Sequence, residues 1–363
     1  MSANPDTYTA FLTAESARAD AARRRRRERA GGALVAGGTA VVLAALLVIP
    51  IFLILSLLPW TPFPAGTWEH LGVLLAGSAK AAVCALCVAV PIGLATAAFN
   101  AYFCAPRLRA WIKPALEILE AIPTVVLGLI AVAALAPWLK SNVAALLALI
   151  VIVPAVLLGA GMAFGARLHR QSGWLPLWLL PVVVAIVAIV IAIAGQREGA
   201  LITPASPWNA VLVGLALGLA AVPLVFSIAE DTLMSIPASH AQAALALGAT
   251  RWQALTTIVI PAARSGLIAA VALGASRCIG ETMIVLMASG NTPLADPDPL
   301  AGLRTLSAEL VLGLPEAAPP GDTYRVLLLA ALVLFALTFA LNLLALRARA
   351  GLRRRADAGV GLA

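Results

Sequence analysis

The chain has 363 residues, of which 62% are hydrophobic and only 12% charged, and its mean hydropathy is +0.98. A soluble domain is near half apolar and a quarter charged, so these values exclude a water-soluble globule and indicate a polytopic membrane protein. The net charge of +8 does not point to nucleic acid, because the basic residues cluster beside apolar stretches, where they set orientation across a bilayer.

Residues 1–32 form a polar, basic tail closing on the run Arg23 to Arg29. The apolar run at about 33–58 ends in Pro59-Trp60, an interfacial pairing. It is longer than the apolar core of a signal peptide and lacks a small-residue cleavage site, which predicts an uncleaved first span entered from the cytoplasm. The arginine run fits either orientation or contact with anionic membrane lipid or a partner, and orientation alone accounts for it.

Further spans are predicted at about 71–99, 117–138, 143–166, 175–195, 209–229, 263–289 and 325–346. Each has roughly 20 residues or more, enough to cross about 30 Å at about 1.5 Å per residue. The fold class is therefore all-α integral membrane, with about eight transmembrane helices. Basic residues support that count. Arg107, Arg109, Lys113, Arg167, Arg170, Arg251, Arg347, Arg349 and Arg353 to Arg355 fall with the N-terminal run on one side. The other side holds only Lys140, Arg197 and Arg304, with Arg325 at a span edge. That asymmetry places both termini in the cytoplasm.

The loop 290–324 carries Pro293, Pro297, Pro299, Pro315, Pro319 and Pro320. Proline at that density predicts an irregular external loop, which either receives a partner protein or simply connects two spans. Cys84 and Cys87 form a C-x-x-C inside an apolar span, without a second pair or a nearby histidine, and read as small packing residues. No P-loop, GxGxxG or H-E-x-x-H occurs. Metal and nucleotide chemistry are therefore not expected within this chain.

The stretch Ser235 to Asn291 joins a segment too polar to cross a bilayer to an apolar span holding Arg277 and Glu281. Ser235 is predicted to cap a helix with Pro237 in its first turn. Ala241, Ala244, Leu245 and Gly248 give that helix an amphipathic face, and Gly248 is placed to end it. A second short helix is predicted from Thr250 to Ile260, before Pro261, so that the pair makes a rigid cytoplasmic knob.

The spacing Gln242-Ala243-Ala244, three residues, Gly248, nine residues, Ile258-x-Ile260-Pro261 resembles the EAA loop of ABC-importer permeases. In that family the loop docks in a groove of the cytoplasmic ATPase. Gln242 stands where the family usually has Glu and Ile260 where it has Leu, which removes a possible salt bridge without changing the length. The next span carries Ser276-Arg277-Cys278-Ile279-Gly280-Glu281-Thr282-Met283, which resembles the signature of PstC-like permeases of high-affinity phosphate importers. Lys113-Pro114 through Glu120-Ala121-Ile122-Pro123-Thr124 to Gly128, the stretch Lys80 to Pro91, Gly290 to Pro293, and Arg304 to Ala308 agree with it. The resemblance covers about 70–138 and 205–346; residues 139–200 depart from the common six-helix core and read as an inserted helix pair.

Arg277 lies about 14 residues into its expected span, roughly 20 Å along a helix, too deep to snorkel out. Glu281 is four residues on and shares a helical face, so the two can pair. Each intramembrane charge costs about 2.5–3.5 kcal/mol on insertion scales, which favours a polar cavity over lipid around it. A guanidinium fork suits tetrahedral oxyanions, although a structural ion pair tying two spans together explains the same residues. Lys80, near the middle of its span, either lines the same route or is structural.

The resemblance implies a permease subunit of an ATP-driven inorganic phosphate importer in the bacterial cytoplasmic membrane. The substrate pathway would run past Arg277, Glu281, Thr282, Ser276 and Lys80. Coupling would run through Gln242, Ala243, Ala244, Gly248, Ile258 and Pro261. Expected partners are a second, PstA-like permease, two copies of a cytoplasmic ATPase that bind the ATP, and a periplasmic phosphate-binding protein. A permease for sulfate or molybdate, and a secondary transporter or membrane scaffold needing no ATPase, are the alternatives.

Overall fold

The computed structural model describes residues 31–58 apart from 34, 61–140 and 206–360. Among them the regular structure is helical, with one isolated parallel bridge between Gly290 and Leu303. Helix α1 (Gly31–Ser56) belongs to a unit of its own, Met1–Thr61, and is long and apolar enough to cross a membrane. The second unit, Pro62–Ala363, holds α2 (Thr67–Tyr102), α3 (Pro106–Ala121) and α4 (Thr124–Lys140). After residues 141–205 come α5 (Ala210–Met234), α6 (Ala238–Ala246) and α7 (Arg251–Gly280). Helices α8 (Met283–Ala288), α9 (Leu306–Gly313) and α10 (Asp322–Val360) complete it. The expected spans at 143–166 and 175–195 lie outside the described residues.

Packing is built on small side chains, as expected where lipid offers apolar groups no reason to associate and close backbone approach must do so instead. On α2, Ala81, Ala85, Ala89 and Ala97 repeat at intervals of four or eight and are buried. Facing them, α5 carries Gly214 and Gly218. A Cβ on Gly214 would stand 2.5 Å from that of Cys84, and one on Gly218 would stand 2.7 Å from that of Val88. Helix α7 lies across both α2 and α5 and is covered on its other side by α10.

Two expected spans are not single helices. The 117–138 span breaks at Ile122-Pro123, and α3 meets its continuation at 87°. The proline ring disfavours helical backbone at the residue before it, and Ile122 is extended (φ −65°, ψ 127°). The 263–289 span ends at Gly280: Glu281 is extended (φ −71°, ψ 130°), and α8 begins two residues later. The Glu281 carbonyl freed by this break accepts a hydrogen bond from Ser307 Oγ at 3.0 Å.

The other end of that span also differs. Pro261 does not stop the helix from Thr250; α7 runs from Arg251 through it. Residues Leu255–Val259 widen to a π-helix just before Pro261, easing the clash of its ring with the preceding turn. Ala131–Leu135 does the same before Pro137 in α4. Ser235 ends α5 instead of capping α6, its Oγ donating to the Thr232 carbonyl at 2.7 Å, and Pro237 holds the N-cap position. The loop 290–324 is not irregular throughout. Thr305 caps α9 through Ala308 N–H at 3.2 Å, and Leu306 N–H donates to Ser78 Oγ of α2 at 3.0 Å.

Candidate functional site

The segment 235–261 is shaped by its caps. Helix α6 closes in a Schellman turn: Ala249 N–H donates to Ala244 O at 3.1 Å and Gly248 N–H to Leu245 O at 3.0 Å, with Gly248 at φ +88°. Two residues on, Thr250 and Gln253 form a reciprocal capping box, at 3.2 Å and 2.8 Å, that starts α7. Ala244, Ala254, Leu255 and Val259 are buried, and Leu255 and Val259 join a cluster with Ala97, Phe226, Leu233 and Ala263. Ile258 is half-buried, whereas Gln242, Ala243, Gly248 and Pro261 are exposed. Leu247, 90% exposed, and Trp252 present apolar surface beside them. A Cβ on Gly248 would meet nothing within 4 Å, so the turn faces open space.

At the far end of α7 the structure revises the expected charge pair. Arg277 Nη1 contacts Glu120 Oε1 of α3 at 3.0 Å. Glu281 has left the helix, and its Oε1 accepts instead from the backbone N–H of Thr282 (3.2 Å) and Met283 (3.3 Å). The Arg277–Glu281 pair expected from helical spacing is therefore not formed, because α7 ends between them. Arg277 stands in the last turn of α7, where the helix dipole favours a cation. Its side chain is 30% exposed and that of Glu120 37%. The pair thus lies on an open face of this chain, not in its packed interior.

The other expected pathway residues do not converge there as a set. Ser276 Oγ points to the Thr338 carbonyl of α10 at 3.5 Å. Thr282 Oγ1 contacts the Gly280 carbonyl at 3.4 Å, at the break. Lys80 Nζ donates to the Asp296 carbonyl at 2.9 Å and so ties α2 to the 290–305 loop.

Sequence reasoning missed two acidic residues. Glu120 stood in a quoted stretch without a role. Glu230, buried near the end of α5, accepts from Asn100 Nδ2 at 2.6 Å and lies 3.7 Å from Lys113 Nζ, which also reaches Asp231 at 3.3 Å. Arg109 of α3 donates through Nε to the Asn100 carbonyl at 2.9 Å and through Nη2 to the Ala101 carbonyl at 2.7 Å. Helix α3 is thus fastened to the ends of α2 and α5 beside the 235–261 segment. A buried carboxylate is retained where a cation and a donor answer it, and that requirement is the signal that would have flagged Glu230.

Glu309 of α9 meets His70 of α2 at 3.3 Å and Arg304 at 2.6 Å. Among the described residues no group of three His, Cys, Asp or Glu side chains is placed to hold a metal ion.

Comparison with known proteins bears on what this arrangement serves. Residues 155–357 match the family described as the binding-protein-dependent transport system inner membrane component. The chain is 30% identical over 326 residues to the phosphate transport system permease protein PstC 2 of Mycobacterium tuberculosis, covering 84% of this chain and 86% of the relative. It is 28% identical to the phosphate transport system permease protein PstC of Mycobacterium leprae, over 72% of this chain and 70% of that one. The PstC protein of Mesorhizobium japonicum is also 28% identical, over 79% of this chain and 75% of its own length.

Proposed function

Since the chain belongs to the family of inner-membrane components of binding-protein-dependent transport systems, we propose that it is the permease subunit of an ATP-driven importer of inorganic phosphate. It is a multi-pass, all-helical membrane protein, and its contribution to transport is a route and a mechanical link, not a hydrolytic site. The observation that carries the reading is Arg277, a partly exposed guanidinium ending an apolar helix that starts at the exposed 235–261 segment.

Charge on an open membrane-facing surface is costly against hydrocarbon, so the Arg277 face is suited to an aqueous route shared with a second permease chain. A guanidinium stays protonated at any physiological pH and offers parallel donors to a tetrahedral oxyanion. The exposed Leu247, Trp252 and Gln242 around the Gly248 turn suit a groove on a cytoplasmic ATPase, two copies of which would supply the ATP-driven closure. Such docking would put the 235–261 segment in the cytoplasm, and the distribution of basic residues supports both termini on that same side. It leaves the 290–305 loop and α9 to meet an external phosphate-binding protein.

The test is phosphate uptake measured against complex yield in reconstituted vesicles. Arg277→Lys keeps the charge and loses the fork, so uptake should fall about tenfold, the equivalent of one charged hydrogen bond, in a complex that still assembles. Arg277→Gln should abolish uptake. Near-normal transport by an assembled Arg277→Gln complex would make the arginine a structural tie. Competition by sulfate or molybdate as strong as that by phosphate would assign the route to another oxyanion.

A further inference from the structure

We infer that Glu120 is an internal competitor for the transported anion: its carboxylate occupies the place on Arg277 that a phosphate oxyanion would take, and movement of α3 puts it on and takes it off. The inference rests on the reading of Arg277 as the phosphate ligand. A carboxylate and a phosphate present a guanidinium with the same acceptor oxygens, and here one arm, Nη1, is already engaged by Glu120 Oε1 at 3.0 Å. Both side chains are part exposed, so an incoming anion has access to the arginine it must contest.

The two partners sit on different elements, each joined separately to the 235–261 segment. Arg277 ends the helix that begins in that segment at Arg251. Glu120 is on the last turn of α3, just before the 87° break at Ile122-Pro123, so α3 can swing without carrying α4 with it. Lys113 lies seven residues before Glu120, two helical turns and hence nearly the same face. It is fastened to Asp231 and Glu230 in the last turns of α5, which lead directly into Ser235. A shift of the cytoplasmic segment therefore reaches Arg277 through α7 and Glu120 through α5 and α3. Unequal movement along the two routes opens or closes the pair. With the pair closed Arg277 is neutralised and the anion is displaced; with it open the anion meets an unopposed cation.

The experiment is equilibrium binding of radiolabelled inorganic phosphate to the purified, nucleotide-free complex, alongside uptake in vesicles. Glu120→Gln keeps the size of the side chain and removes its charge. It should raise phosphate affinity about tenfold or more while slowing turnover, because bound phosphate is no longer displaced. Glu120→Asp, which shortens the reach and keeps the charge, should move affinity the same way by less, and it supplies the measurement if the glutamine variant does not assemble. Unchanged affinity in the assembled variants would overturn the competitor role. Phosphate transport by the assembled double variant Arg277→Gln, Glu120→Gln would instead overturn the reading of Arg277 itself. Abolished transport by Arg277→Gln together with wild-type affinity in Glu120→Gln would leave that reading standing and remove this one.

Discussion

A guanidinium at the end of an apolar helix persists when an opposite charge answers it, and for Arg277 that charge comes from 157 residues away in sequence. The i, i+4 rule points to Glu281, and it fails because the helix stops at Gly280 and the rule holds only while the helix continues. No local pattern marks Glu120, since the pairing arises from how α3 meets α7. Glu230 is different in kind: it is 5% exposed and shared by a neutral donor and a cation. Glu230→Ala would leave the buried Asn100 Nδ2 without an acceptor, and the assembled complex should lose about 1–3 kcal/mol of stability. Glu230→Gln keeps an acceptor oxygen for Asn100 and should lose about half as much or less. Thermal denaturation of the detergent-solubilised complex gives the order; equal stability of Glu230→Ala and wild type would show that the network contributes nothing.

At the scale of elements, the stretches legible in the sequence are those whose shape is set by near neighbours. The α6 turn followed its own residues, because Gly248 supplies the left-handed backbone and Thr250 and Gln253 cap each other within three positions. The breaks were less legible. A hydropathy window averages over Pro123 and Glu281 and reports one apolar span where the backbone makes two pieces. The α2–α5 crossing rests on Gly214 and Gly218, four residues apart, a spacing open to view that acquires meaning only once the facing alanines are known. Gly218→Leu would force a side chain to within 2.7 Å of Val88 Cβ. The expected cost of overpacking is about 1–3 kcal/mol or more, read as reduced complex yield and a lowered unfolding temperature. Gly248 separates backbone from partner effects. Asparagine tolerates left-handed backbone and aspartate does so at similar cost, roughly 1–2 kcal/mol for ordinary residues. If Gly248→Asp weakens ATPase association well beyond Gly248→Asn, the partner's surface is rejecting the charge; equal behaviour with intact coupling would remove this turn from the docking surface.

At the scale of the whole molecule, the ends of α4 and α5 are set by what they pack on. Helix α5 runs from Asn209, at the 290–305 loop, to Glu230, beside Asn100 of α2 and Lys113 of α3; its first N–H groups, of Ala210 and Val211, donate to Ala301 and Pro299 carbonyls at 3.3 Å and 3.2 Å. Helix α4 leaves α3 and runs the opposite way: Gly128 packs on Met287 and Ile284 of α8, and Ala136 and Leu139 enter the same buried cluster as Ala210, Leu212 and Leu303. Lys140 and Ser206 therefore lie toward the same end of the helices. The distribution of basic residues leads to the expectation that Lys140 and Arg197 share one side and Arg167 and Arg170 the other. The family match runs through part of this stretch, from residue 155 onward, whereas the sequence reads 139–200 as an inserted helix pair, which would be peripheral to transport. Removing residues 141–196 and joining the ends decides between the two. The deletion takes out the two expected spans together, so α5 to α10 should keep their orientation, checked by accessibility of cysteines placed in the 290–305 loop and at the Gly248 turn. If the pair is peripheral, phosphate uptake per assembled complex should stay within about twofold of wild type, a difference of under 0.5 kcal/mol. Correct orientation and assembly with no uptake would place the stretch in the transport pathway itself.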